Sequence, residues 1–280
     1  MQSTKLSRLA ALPLLWNLLG VILSANAMNM NLPASPAGSA AIPTAPASGK
    51  TIRWGIIGLG DVVQHQTGPA FLQAEDSELV AVCGSRTPGK AAFWAATHGG
   101  PNCRGYNHLE DFLADDRIDA YYIATPPGKH VYMAMKVATV AVDNGAAVYI
   151  EKPVGRSYEE TATISASLQA RGIPLYTAYT SRASPRTMAV KEALESGRIG
   201  QLVNITYRLS GLDASLDTGS VQEGGVEGQP PSTSQTLPWR LQADVSGGGL
   251  FVDVGCHLLD RLDFIAGPLL NVRGQALNRQ

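Results

Sequence analysis

The feature that most constrains this chain is a largely apolar run that ends in a pair of glycines. Residues 52–57 are followed at once by Gly58-Leu59-Gly60. Such a run suits a strand buried on both faces, which is the habit of parallel sheets. The pattern then repeats. Runs at 78–83, 120–124, 146–150 and 174–179 read as further strands. Helices are expected between them at 68–74, at 87–97 with Thr87 as N-cap and Pro88 behind it, at 109–113, at 129–143 and at 157–171. Ser157-Tyr158-Glu159-Glu160 reads as a capping box opening the last of these. Strands alternating with helices predict an α/β fold with a doubly wound parallel sheet. Right-handed crossovers put every strand C-terminus on one edge, where ligands bind.

Beyond residue 180 the character changes. A helix is expected at 185–196, a longer alternating strand at 202–209 and a polar, glycine-rich loop at 213–238. Gly247-Gly248-Gly249 opens a helix running to about 265, and a last strand covers 270–276. The expected organisation is a leader and disordered linker at 1–50, a Rossmann dinucleotide-binding domain at 51–180 and a partial α+β substrate and dimerisation domain at 181–280. In the leader, Lys5 and Arg8 precede an apolar stretch that closes on Ala25-Asn26-Ala27, the shape of a secretory signal peptide. Upstream sequence before a start at Met28 or Met30 is the rival reading. Pro13 and Asn17 interrupt the stretch, so no stable membrane span is expected. Unpaired cysteines and a cofactor supplied inside the cell favour the cytoplasm, with the secretory pathway as the alternative.

Three places carry chemistry. Gly58 permits a tight turn, and Gly60 lets backbone N–H groups approach a pyrophosphate at a helix N-terminus. Val63 stands where the fingerprint has its third glycine, so helix and strand should sit slightly further apart. At the end of the second strand, where an acidic residue would bind the ribose 2′-hydroxyl of NAD, stand Ser85 and Arg86. They suit a 2′-phosphate, with a solvated surface arginine as the alternative. NADP(H) is therefore the expected cofactor, with NAD(H) possible. Glu151-Lys152-Pro153 ends a strand at the cofactor edge, where a lysine can donate to a substrate hydroxyl oxygen; a plain surface turn is the rival. Asp253 and His257 stand four apart on one helical face that Asp260 continues, with Leu250, Val254, Leu258, Leu262 and Ile265 available to anchor the helix. A histidine with a carboxylate to orient its ring can move protons near neutral pH. A structural His–Asp pair is the alternative.

Composition removes other classes. With 22 basic and 23 acidic residues the formal charge is −1, so no basic field invites nucleic acid. Cys83, Cys103 and Cys256 are too few and too scattered for a disulfide framework and read as reduced thiols near the core. The five histidines show no metal-ligand spacing, and no metal is expected. No G-x-S-x-G elbow marks a hydrolase.

Together the motifs resemble the Gfo/Idh/MocA family of NAD(P)-dependent oxidoreductases, the family of glucose–fructose oxidoreductase and inositol dehydrogenase. The carriers are Trp54 to Val62 (WGIIGLGDV), Tyr122 to Pro127 (YIATPP) with His130, Glu151-Lys152-Pro153, and Gly247 to His257 (GGGLFVDVGCH). The resemblance implies a hydride transfer between the nicotinamide and a carbinol or carbonyl carbon of a sugar, cyclitol or related diol. It gives Lys152, Asp253 and His257 the catalytic roles, with Lys152 or His257 moving the hydroxyl proton and Asp253 holding the geometry. Gly58, Gly60, Asp61, Val62, Ser85, Arg86, Ala124, Thr125, Pro126, Pro127, His130, Glu151 and Lys152 would line the cofactor. Trp239-Arg240 looks like the family's WR element near the substrate pocket. The stretch 137–146 is longer than the usual approach to Glu151-Lys152-Pro153 and should be a surface irregularity. The family continues past 270–276 with strands of an open sheet that covers the site and pairs subunits into homo-oligomers. This sequence ends at Gln280, so exposed apolar surface is expected, and an inactive or regulatory cofactor-binding paralogue is the alternative function.

Overall fold

The computed structural model describes residues 50–84, 87–208 and 239–275. The leader and linker, Ser85 and Arg86, the loop at 213–238, the Leu250 side chain and Ala276 lie outside the described residues.

Six strands form one sheet: β1 (Ile52–Ile57), β2 (Ser77–Cys83), β3 (Arg104–Tyr106), β4 (Ala120–Ile123), β5 (Ala147–Ile150) and β6 (Leu175–Thr177). Their order is β3-β2-β1-β4-β5-β6 and all neighbours run parallel. The chain direction across the sheet reverses between β1 and β4, which opens a crevice at their C-terminal ends. The connecting helices are α1 (Gly68–Gln73), α2 (Lys90–His98), α3 (Leu109–Leu113), α4 (His130–Asn144) and α5 (Tyr158–Gln169). Alternate strand residues serve opposite faces. Ile57, Tyr121, Ile123, Val148 and Ile150 pack with Phe112, Val137, Ala141, Ile164 and Leu168. Ile56, Leu79, Val82 and Tyr122 pack on the other side with Val63, Ala91 and Trp94. Burial on both faces explains why these strands read as continuous apolar runs.

Several local expectations are corrected. Helix α2 begins at Lys90 and not at Thr87, because Gly89 takes a left-handed conformation (φ +80°) that no helix interior accepts. Thr87 and Pro88 instead belong to a turn in which Lys90 N donates to Thr87 O at 3.3 Å. Strand β3 has no counterpart in the sequence reading. It is three residues long and centred on Gly105, where an added Cβ would lie 2.2 Å from the Ala91 carbonyl oxygen of α2. The irregularity expected at 137–146 is absent: α4 runs through to Asn144, and His130, Ala134, Val137, Ala138 and Ala141 form one buried stripe. The capping box is half realised. Ser157 Oγ accepts from Glu160 N at 3.3 Å, while the Glu160 carboxylate accepts from Arg156 N at 2.8 Å.

After β6 come α6 (Pro185–Glu195), α7 (Ala243–Ser246) and α8 (Gly249–Ala266). The strands expected at 202–209 and 270–276 do not form among the described residues. Thr206 makes an isolated bridge, and the remainder has no ladder to hold it. Helix α8 also departs from expectation. Val254, Leu258, Leu262 and Ile265 are only partly buried, whereas Asp253, Gly255 and Asp260 are buried. Ion pairs rather than leucines seat this helix. Among the described residues no helix is long and apolar enough to cross a membrane.

At the other end of the sheet, Asp119 ties the entry to β4 to β1. It accepts from Arg53 N at 3.0 Å, from Arg53 Nε at 2.9 Å and from Lys50 Nζ at 3.2 Å. The Arg53 guanidinium holds the Asp119 carboxyl down to about 2. A depressed carboxylate stabilises the fold above its ordinary value near pH 4, and that contribution is lost as pH falls towards 2. Asp119→Asn should cost about 1 kcal/mol at pH 7, after allowance for the half-exposed Arg53, and should flatten the pH dependence of urea unfolding between pH 4 and 2.

Candidate active site

The cofactor edge is built where the loops after β1 and β4 meet. Gly58 has φ +103°, and a Cβ there would lie 2.8 Å from Ala124 O and 3.0 Å from Thr125 N. Only a glycine lets the two loops touch. Gly60 is exposed, and a Cβ on it would meet nothing within 4 Å, so the space before it is open to a ligand. Helical backbone starts at Asp61, and Gln64 N donates to Gly60 O at 3.0 Å. Free N–H groups of this first turn suit a pyrophosphate. Val63, in the place of the third glycine, is fully buried, and it opens a π-helical turn, Val63–Thr67, before α1. Asp61 is exposed, with Oδ1 3.3 Å from His65 Nε2. Thr125 Oγ1 is enclosed at this edge with no protein partner. The open glycine, the free helix start and the orphaned hydroxyl fit a dinucleotide.

Lys152 leaves β5 at the same edge, with a cis bond to Pro153. Its Nζ donates to Asp253 Oδ1 at 2.7 Å and to Asp253 O at 3.0 Å. Asp253 Oδ2 accepts from Arg240 Nε at 3.1 Å, and that guanidinium lies over the Trp239 ring, 4.7 Å from its centroid. A carboxylate 8 % exposed is thus shared by two cations. Local sequence sets α8 in this position. Gly247 (φ +88°) packs so closely that a Cβ would lie 2.7 Å from Arg156 O. Ser246 Oγ accepts from Gly249 N at 3.0 Å and caps the helix start. Arg156 Nη1 donates to Asp244 O, holding α7 to the turn after Lys152.

His257 lies one turn along α8, edge-on to Tyr179 at 6.2 Å between centroids. Burial, then the nearby Lys152 ammonium, pushes it down to about 4, so the ring is neutral at pH 7. The expectation that Asp253 orients this imidazole is corrected: both Asp253 oxygens are taken by Lys152 and Arg240. Asp260 does not join the site. Its Oδ1 accepts from Arg182 Nε at 2.8 Å, in the turn after β6. Cys256 donates its thiol to Asp253 O at 3.3 Å, and burial pushes its pKa up. Cys83 and Cys103 are free thiols that burial holds at about 11 and about 12, as near-core cysteines should be.

Three residues assigned to the cofactor turn inward. Pro127 is buried. Glu151 accepts from Tyr122 Oη at 2.5 Å and from Lys152 N at 3.1 Å, and burial raises its pKa. His130 is fully buried among backbone carbonyls. Ala124, Thr125, Pro126 and Val62 remain partly exposed along the crevice. Sequence reasoning missed Tyr122 as a partner, and it noted Arg240 without its target. A tyrosine hydroxyl inside a buried strand demands an acceptor, and that was the available signal for Tyr122.

Comparisons with known proteins agree with this geometry. Residues 52–179 match the model of the oxidoreductase family with an NAD-binding Rossmann fold, and residues 187–280 match the GFO/IDH/MocA C-terminal domain. Oxidoreductase P35 of Formosa agariphila is 30% identical over 222 residues, covering 79% of this chain and 63% of that protein. D-xylose 1-dehydrogenase (NADP(+)) 2 of Haloferax volcanii is 28% identical over 76% of this chain and 57% of its own length. The chain thus spans about three-fifths of such relatives. A crystal structure of myo-inositol 2-dehydrogenase from Lactobacillus plantarum superposes with a TM-score of 0.57 at 22% identity, over 78% of this chain and 57% of that one, a likeness of fold. With a Rossmann sheet, an open dinucleotide edge and both family models matched in order, the chain belongs to the Gfo/Idh/MocA family of NAD(P)-dependent oxidoreductases.

Proposed function

We propose that this chain transfers a hydride between NADP(H) and a carbinol or carbonyl carbon of a sugar, cyclitol or related diol. The observation that carries this reading is the Lys152 ammonium on Asp253, 2.7 Å away, at the cofactor edge and one helical turn from a neutral His257. Related proteins named as acting on xylose and on inositol support the substrate class.

Gly58, Gly60, Ala124 and Thr125 would hold the dinucleotide, and Ser85 and Arg86 would meet its 2′-phosphate. The nicotinamide supplies or takes the hydride. Everything else falls to the protein. Asp253, fixed by Arg240, sets the direction of the Lys152 amine. The amine donates to the substrate oxygen and stabilises negative charge on it. His257, uncharged and without a carboxylate on its ring, takes the hydroxyl proton during oxidation and returns it during reduction. Its lowered pKa keeps the ring unprotonated and able to accept at neutral pH, at a cost in proton affinity.

A panel of polyols and aldoses with NADP, read by absorbance of the reduced nicotinamide, tests the reading; no turnover with any of them would count against it. Lys152→Ala should lower kcat by at least about a hundredfold while NADPH binding, followed by tryptophan fluorescence, stays within about twofold. The acid limb of the pH–rate profile should have its midpoint near pH 4, the value burial gives His257, because protonation of the ring removes the acceptor. A midpoint near 6.5 would show that another histidine, or a less buried His257, controls the rate. Arg86→Ala should weaken NADPH about tenfold or more with NADH unchanged, measured by titration calorimetry. Equal losses for both would return Arg86 to the solvated surface.

A further inference from the structure

His130 is the first residue of α4, and its side chain is 0 % exposed. No step above uses it. Its ring stands between the loops that leave β4 and β5, the two loops that form the reacting edge. Nε2 lies 2.6 Å from the carbonyl oxygen of Thr125, in the loop after β4. Nδ1 lies 3.1 Å from the carbonyl oxygens of both Pro153 and Val154, in the turn after β5. All three partners are acceptors, and burial pushes the pKa of this histidine down, so the neutral ring has one N–H: it donates to one of the two loops and packs its other nitrogen against the second. A ring 0 % exposed presents no surface to a dinucleotide. It can fix the distance between the Thr125 loop and the residue that follows Lys152.

We propose that His130 is a positioning residue that staples the Thr125 loop to the Pro153–Val154 turn and so sets where the Lys152 backbone leaves the sheet. Three restraints then act on Lys152 independently. Glu151 Oε2 holds its N–H, Asp253 holds its Nζ, and the His130 ring packs against the next carbonyl. Without the staple, the turn that carries the Lys152 amine loses its tie to the Thr125 loop. Glu160, whose charge faces the ring, belongs to the same corner, since its carboxylate holds Arg156 N at 2.8 Å. The role in turnover rests on the reading of Lys152 given above, while the staple itself is testable without it.

The test compares wild type with His130→Phe, which keeps shape without a donor, and His130→Gln, whose amide restores one. Hydrogen–deuterium exchange reads the staple directly and needs no substrate. Peptides covering 124–129 and 151–156 should exchange at least about tenfold faster in His130→Phe, with 77–83 and 158–169 unchanged, and His130→Gln should recover part of the protection. Uniform loss of protection in both variants, or none in either, overturns the staple. With an active substrate, kcat should fall about tenfold or more in His130→Phe with KM and NADPH affinity within about twofold, and His130→Gln should restore part of it. A loss confined to NADPH affinity would make His130 a cofactor contact instead. If the exchange pattern holds but wild type turns over nothing in the polyol panel, the staple stands and the reading of Lys152 falls. Should His130→Phe not fold, the comparison of His130→Gln with wild type decides by the same peptides.

Discussion

One buried carboxylate joins the two parts of this molecule. Asp253 belongs to α8, yet its partners come from the end of the sheet and from the turn before the helix. A carboxylate removed from water is costly unless its lone pairs are filled. Lys152 and Arg240 fill them, and in doing so fix α8 over the strand ends. Asp260, two turns along, pairs one oxygen with Arg182 from the turn after β6, while its Oδ2 is buried without a hydrogen-bond partner among the described residues. Leu258 and Leu262 of α8 are only partly buried. The same pairs that orient the lysine therefore also locate the helix that carries His257.

This sharing separates the roles of the two titratable groups. Asp253 gives one oxygen to each cation, and among the described residues no hydrogen bond joins it to the imidazole; burial, then the Lys152 charge, keeps His257 neutral. Lys152 in contrast is directed from both ends, by Asp253 at its amine and by Glu151 at its N–H. Glu151 is itself fixed by Tyr122, a residue of the buried strand β4. The donor is held at both ends, while no hydrogen bond to a protein carboxylate is seen on the imidazole among the described residues.

Much of this was legible in the sequence because burial on both sheet faces writes a strand as an unbroken apolar run, and glycines mark where chains touch. The Rossmann order and Gly58 follow from those two facts, while the convergence of Lys152 with the α8 face was implied by the family resemblance of the motifs. What escaped was settled by contacts between distant segments. Strand β3 is only three residues around a glycine. Gly89 overrode a good N-cap with its left-handed backbone. His130 and Glu151 lie at cofactor-lining positions in the sequence pattern, but their side chains find carbonyls and a phenol within the protein. Asp253 and His257, neighbours by helical spacing, are parted because a lysine 101 residues away claims the carboxylate first.

The central claim is that the amine of Lys152 and the carboxylate of Asp253 act as one buried pair. A double-mutant cycle of Lys152→Met and Asp253→Asn, read as urea unfolding at pH 7, measures that coupling directly. The two substitutions together should cost less than the sum of the single ones by at least about 1 kcal/mol. Additive costs, agreeing within about 0.3 kcal/mol, would contradict the pairing and with it the geometry assigned to the site.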